Sequence, residues 1–277
     1  MNKKGFFICL SIFLIACNAN RKQAAVYLGN AQKLYEQCEY SSAKNNLDSI
    51  KILFPKELEI LKQSLKLRRR IEIKEQEQNI VFCDSMLTVR LAEAERLKSG
   101  FLFEKNPEYD NLGKYIDKRQ QIEAKVQSSY IRTQVNELGE ILFSSVYYGS
   151  RRIQHVQLKV SKTNGEFTET MVIPPDGGFN YSFTDEGMTT EIVTYAKGKD
   201  NGVIQFIYDN KESALKAEYL GKEKYSFIIS ASDKNILAKT FDFALILSDI
   251  EKLKKEKEKS LLRIMYLEGK TTDGTGK

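Results

Sequence analysis

The stretch HVQLKVSKTNGEF, residues 155–167, carries the pattern that decides the fold of this chain. Its valines and leucine alternate with polar residues, which is typical of a β-strand with one buried face and one solvated face. The Asn-Gly pair that follows is a hairpin turn signal. Because similar segments and turn signals recur over residues 131–231, we predict about seven or eight antiparallel strands that form a small barrel or a sandwich.

Aromatic residues are frequent in this β region, and two of its alternating segments, 179–183 and 204–208, are read as strands. Such residues either form the core of a sheet or line a groove for a glycan or an apolar ligand, and both interpretations are open. The residues concerned are Tyr147, Tyr148, Phe179, Tyr181, Phe183, Tyr195, Phe206 and Tyr208.

Helical patterns lie on both sides of the β region. Residues 23–55 predict a helical hairpin, and residues 56–99, which lack glycine and proline, predict one long helix. Residues 112–129 predict a shorter helix, and residues 236–268 predict a C-terminal helix that packs against the long one. Residues 271–277 are expected to be disordered. The chain is therefore predicted to have an α+β fold.

The N-terminus combines Lys3-Lys4 with an apolar run, Phe6 to Ile15, that is too short to span a bilayer. The run ends in Leu14-Ile15-Ala16-Cys17, which resembles a lipobox, the recognition site of bacterial lipoprotein signal peptides. The resemblance implies that residues 1–16 are removed, that Cys17 is acylated and that residues 17–22 form a lipidated tether. An ordinary secretory signal and a short membrane anchor are the alternatives.

The residues after Cys17 bear on localisation. Surface-exposed lipoproteins of the Bacteroides type often carry acidic residues there, whereas residues 18–22 carry none. Asn18 stands where enterobacterial lipoproteins of the inner membrane carry aspartate. The lipoprotein resemblance therefore implies an outer-membrane protein of a Gram-negative bacterium that faces the periplasm.

The first helical hairpin resembles one tetratricopeptide repeat. The likeness lies in an aromatic residue at the start, small residues where the two helices touch, and a proline at the end. The matching residues are Tyr27, Ala31, Leu34, Cys38, Tyr40, Ala43, Leu47, Ile50 and Pro55. Because that family normally stacks at least three repeats, the resemblance implies one helical hairpin that contacts a protein partner or another copy, and it is no proof of a peptide-binding solenoid. Ordinary helix packing that matches the repeat by chance is the alternative.

Two cysteines, Cys38 and Cys83, remain in the part of the chain that follows the lipobox. A compartment outside the cytoplasm permits a disulfide between them. Free cysteines also behave as small buried hydrophobic residues, so a disulfide and two buried thiols are both open.

Residues with catalytic potential are few. His155 is the only histidine and falls on the polar side of its alternating strand, so we expect it at the surface. Serine or cysteine catalysis with a histidine base, and zinc binding, both depend on histidine or on clustered ligands. Five carboxylates of the β region are candidates for acid–base work, namely Glu166, Glu169, Asp185, Glu186 and Glu191. Because no two of these can be paired from the sequence, we predict no enzyme, no cofactor and no metal site.

The net charge of +6 is spread along the chain, so we expect no nucleic-acid partner. Two functions follow from these observations. The first is a non-catalytic scaffold or accessory lipoprotein that binds a protein partner, or another copy of itself, through its helices. The second is a ligand-binding lipoprotein whose β domain holds a glycan, lipid or peptide, as a closed barrel does.

Overall fold

The computed structural model describes residues 4–120 and 127–272, with the side chains of residues 19–120 and 127–269. The helices are α1 Lys4–Glu36, α2 Tyr40–Leu53, α3 Leu58–Lys98, α4 Val203–Asp209 and α5 Ala231–Thr272. The strands are β1 Phe101–Glu104, β2 Lys114–Asp117, β3 Tyr130–Asn136, β4 Ile141–Gly149, β5 Gln157–Lys162, β6 Phe167–Glu169, β7 Asn180–Asp185, β8 Met188–Tyr195, β9 Leu215–Leu220 and β10 Lys224–Ile228. The predicted α+β class is confirmed.

The chain forms two compact units. The helical unit comprises the residues up to Ser85 together with those from Lys254 onward, and the β unit comprises Met86–Leu253. Each unit has its own apolar clusters, which are described separately below.

In the helical unit, α1 and α2 form the predicted hairpin. Cys38, with φ of 61°, takes the left-handed conformation common just after a helix, and the Glu39 amide donates to the Leu34 carbonyl at 2.8 Å. Ala24 and Ala31 of α1 and Ala43 of α2 are fully buried, since small side chains permit close helix packing. The C-terminal part of α5 contacts α3 through Asn79 and Ser260, whose side chains lie 2.9 Å apart.

Replacement of Ala31 tests this packing. We expect Ala31→Leu to lower the free energy of unfolding by about 1–3 kcal/mol, because the added carbons have no space in the core. Chemical denaturation followed by circular dichroism measures the change. Ala25→Leu is the matched control, since Ala25 is exposed on the same helix and its replacement should be nearly neutral. Equal effects of the two substitutions would contradict the packing described.

The β unit contains two antiparallel sheets. The six-stranded sheet has the order β1-β2-β3-β4-β8-β7, and the four-stranded sheet has the order β10-β9-β5-β6. Among the residues described, the largest apolar cluster draws on both sheets, with Phe143 and Val193 from the first and Leu158 and Ala217 from the second. The arrangement is a sandwich, so the barrel alternative is wrong, and its core is filled by side chains.

Two predicted elements are wrong. Residues 112–129 were expected to be helical, but Lys114–Asp117 is a strand that pairs with both β1 and β3, and Lys118–Gln120 is a 3₁₀ turn. Tyr115 and Ile116 suit this paired position, and sheet pairing outweighs the helical spacing around them. Residues 121–126 of the expected helix lie outside the described residues.

Residues 204–208 were expected to form a strand, but Val203–Asp209 is a helix that follows Gly202. Its buried residues are Val203, Ile204 and Ile207, which share one helical face. Gly202 has φ of 83°, a conformation that glycine adopts at little cost. Side-chain burial at helical spacing therefore overrides the alternating pattern in this segment.

At the chain termini, Thr271 and Thr272 are helical although they were expected to be disordered, and residues 273–277 lie outside the described residues. In the described part of the chain, no helix has both the length and the apolar character needed to cross a membrane.

Candidate functional site

A buried polar network lies in the β unit, around the carboxylate of Glu191 on β8. Glu191 accepts hydrogen bonds from the backbone amides of Gln154 and His155, at 2.8 and 2.9 Å, and from His155 Nδ1 at 2.8 Å. His155 Nε2 lies 2.9 Å from Ser145 Oγ on β4, which in turn lies 3.1 Å from the Tyr195 hydroxyl. The network thus joins two strands of one sheet to the segment that precedes β5.

Proton positions in this network follow from the hydrogen-bond partners. If His155 is neutral and its Nδ1 donates to Glu191, its Nε2 must be an acceptor. Ser145 then donates to Nε2, and the Tyr195 hydroxyl donates to Ser145 Oγ. Each proton has one acceptor in this arrangement, which is the condition for a stabilising buried network.

The order of serine, histidine and carboxylate is that of a hydrolytic triad. Ser145 is 0% exposed and is surrounded by its hydrogen-bond partners, so a substrate in solvent has no path to its hydroxyl. The His155 ring is stacked on Tyr219, with ring centroids 4.9 Å apart. We interpret the network as structural, because a nucleophile must be accessible to its substrate.

Burial and hydrogen bonding act in opposite directions on Glu191. Burial raises the pKa of a carboxyl group, but the bonds from the His155 ring and from the amides of His155 and Gln154 outweigh it, so the pKa of Glu191 is lowered. Burial raises the pKa of Tyr195 and of Tyr219, which keeps both hydroxyls protonated as donors.

Two further residues hold the segment around His155. Asn180 Nδ2 donates to the carbonyl oxygens of His155, at 3.2 Å, and Ile173, at 2.7 Å. Gly221 lies so close to this segment that a Cβ atom there would collide with the Gln154 carbonyl. The backbone at residues 154–155 is therefore fixed on several sides.

The expected surface position of His155 is wrong, since the side chain is buried. The strand begins at Gln157, so an alternation that starts at His155 begins two residues before the strand does. Of the five carboxylates considered, Glu166 and Glu169 pair with Lys162 and Lys159, and only Glu191 is buried in the network. The periodicity of the chain carries no signal for this pairing of residues 36 positions apart.

Replacement of Glu191 tests the network. Because the folded pKa of Glu191 is below its ordinary value, the carboxylate stabilises the protein above the unfolded pKa, about 4.3, and this stabilisation is lost as the pH falls through the folded value. We expect Glu191→Gln to lower the free energy of unfolding at pH 7 by about 1–3 kcal/mol and to reduce its decline below pH 4.5.

Chemical denaturation between pH 3 and pH 7 measures both effects. Glu212→Gln is the control, because Glu212 is exposed. A Glu191→Gln variant with the stability and pH dependence of the control would contradict the role of the carboxylate.

The outer face of the six-stranded sheet carries a second candidate site. Tyr130, Val146, Ile192 and Tyr181 form one row across β3, β4, β8 and β7. A cavity of about 720 Å³ lies over this row. Its volume is within the range of small-molecule sites, about 300–1,000 Å³. Arg132 lines this cavity and also a cleft of about 320 Å³ on the same face.

The aromatic residues considered from the sequence divide between the core and this face. Tyr147 and Tyr195 belong to the core, and Phe206 and Tyr208 lie on α4. The four that remain are Tyr148, Phe179, Tyr181 and Phe183, and they line the cavity or the neighbouring cleft. The core interpretation therefore holds for Tyr147 and Tyr195, and ligand binding by the four residues of the outer face stays a prediction.

A third cleft, of about 740 Å³, lies beside the buried network and is lined by both polar and apolar residues. Arg152, Gln154 and Lys222 are among its residues, and Arg152 donates to Ser182 Oγ at 2.9 Å. In the described part of the chain, no group of three or more histidine, cysteine or acidic residues has a geometry that could hold a metal ion.

The cysteines selected from the sequence lie in the helical unit. Cys17 falls within α1, and its side chain is outside those described. Cys38 and Cys83 are free thiols, the first exposed and the second buried, so the geometry gives no support for a disulfide between them.

Comparisons of the chain with protein-family models, with curated proteins and with solved structures found no match.

Proposed function

We propose that this protein is a lipid-anchored, non-catalytic interaction module of the cell envelope whose helical unit binds a protein partner. The observation that carries the proposal is an apolar patch on α5, formed by Leu261, Leu262, Met265 and Tyr266, which are between 45% and 66% exposed. Residues three and four positions apart are neighbours on a helix surface, so Leu262 lies beside Met265 and Tyr266, and Leu261 lies beside Met265. Exposed apolar patches of this kind mark interaction sites on soluble proteins.

The anchor in this proposal rests on the resemblance of residues 14–17 to a lipobox. A lipoprotein with two or more acyl chains is held stably at a membrane without a spanning helix. In this proposal the protein lies at the outer membrane and faces the periplasm, because residues 18–22 carry no acidic residue and Asn18 follows Cys17.

Mass spectrometry of the mature protein tests the anchor. We expect an N-terminus at Cys17 that carries acyl chains, and a Cys17→Ser variant that retains residues 1–16 and incorporates no labelled fatty acid. Cys38→Ser is the control, because Cys38 lies beyond the lipobox and its replacement leaves processing unchanged. Acyl label on the Cys17→Ser variant would contradict the proposal.

In-cell crosslinking of the C-terminally tagged, natively lipidated protein tests the partner. We expect one dominant protein whose crosslinks map to the α5 patch, and at least a tenfold loss of its recovery in the Leu262→Gln, Met265→Gln double variant. Ile52→Gln is the matched control, since Ile52 is 75% exposed on α2, away from the α5 patch in sequence. Unchanged recovery with the double variant would overturn the proposal, as would recovery of the protein without a partner.

The second candidate function is the binding of a ligand by the β unit. The filled core excludes a ligand enclosed between the two sheets. The cavity on the outer face favours a ligand bound there instead, because exposed aromatic side chains offer apolar area at low conformational cost.

A further inference from the structure

Arg132 lacks the carboxylate partner that several other arginines of the chain have. Its Nε atom is buried and has no hydrogen-bond partner, and no carboxylate among the described residues forms an ion pair with it. By contrast, carboxylates pair with Arg68, Arg90, Arg119 and Arg263. A guanidinium group that is partly removed from water without a partner is costly, so an anion supplied by a ligand would stabilise it.

The surroundings of Arg132 define the rest of the ligand. Arg132 lies two residues after Tyr130 on β3, so both side chains are on the outer face. Arg132 is thus in the row next to the one that contains Tyr130 and Ile192. The cavity continues from there over Tyr148, Phe183 and Met188. A ligand whose anionic group meets Arg132 therefore has the apolar side chains of Tyr148, Phe183 and Met188 ahead of it, before the cavity reaches its far rim.

The far rim of the cavity carries the opposite charge. Asp185, the last residue of β7, and Glu186, in the turn that follows it, line the cavity at this end. Their carboxylates repel a second anionic group at that end of the ligand. The charge distribution thus matches a ligand with one carboxylate at the Arg132 end and an uncharged apolar chain. A phosphate monoester, with a charge near −2, suits it less well.

We propose that the outer face of the six-stranded sheet binds a monocarboxylate amphiphile, such as a fatty acid, with its carboxylate on Arg132 and its chain over Tyr148, Phe183 and Met188. This inference rests on the second candidate function, ligand binding by the β unit, and names the chemical class of the ligand.

Photocrosslinking of the full-length lipidated protein in native membranes tests the proposal. The probes are a diazirine-bearing C12 fatty acid, the corresponding alcohol and the corresponding alkyl phosphate, and mass spectrometry locates the adducts. We expect the fatty acid to label residues of the cavity, and the concentration for half-maximal labelling to rise about tenfold or more in Arg132→Gln, because a charge-assisted hydrogen bond is lost. The alcohol should label weakly and equally in both proteins.

Two further variants keep the test independent of folding. Lys222→Gln removes a positive charge from the neighbouring cleft and should leave the labelling unchanged. Thr190→Trp fills the cavity from β8 and should reduce labelling by every probe. Circular dichroism confirms that each variant is folded, and Arg132→Lys, which keeps the charge, should restore part of the labelling.

The outcomes separate this inference from the function on which it rests. Equal labelling by acid and alcohol, unaffected by Arg132→Gln, would overturn the carboxylate assignment and leave ligand binding by this face in place. Preferential labelling by the alkyl phosphate would show that the headgroup is a phosphate and would overturn the assignment of a carboxylate. Absence of labelled residues on the face with all three probes would overturn both the inference and the second candidate function.

Discussion

The β unit depends on one buried negative charge. The carboxylate of Glu191 is removed from water, and it remains ionised only because two backbone amides and the His155 ring donate hydrogen bonds to it. Those donors belong to the segment before β5. Because the carboxylate needs their hydrogen bonds, it fixes where this segment lies against β8. Gly221 completes the constraint, since a side chain there would displace the same backbone.

The six-stranded sheet uses its two faces in different ways. Alternate residues of β4, such as Phe143, Ser145 and Tyr147, point into the core and meet the network or the apolar cluster. The residues between them, such as Val146 and Tyr148, point to the outer face and its cavity. One strand thus supports stability with one set of side chains and offers a binding surface with the other.

The sequence predicted the features that depend on local periodicity. Alternation placed β5 and β7, and spacing without glycine or proline located α3 to within two residues at its start and one at its end. Periodicity gave a wrong prediction for His155, because this residue lies just before the strand and does not follow its alternation. It also gave a wrong prediction for Val203–Asp209, where the apolar residues fit both the spacing of a strand and that of a helix. The missing partner of Arg132 could not be read from the chain, because it depends on which groups tertiary structure brings near.

The hydrogen bond from the Tyr219 hydroxyl to the Tyr130 carbonyl, 2.7 Å long, has a kinetic consequence. It joins residues 89 positions apart, so the chain must close a long loop before this contact contributes. The contacts of α1 with α2 are local, and local contacts form on a faster timescale. The hairpin of the helical unit should therefore be structured before the two sheets of the β unit pack together. In that interval the alternating apolar segments are exposed, and aggregation competes with folding.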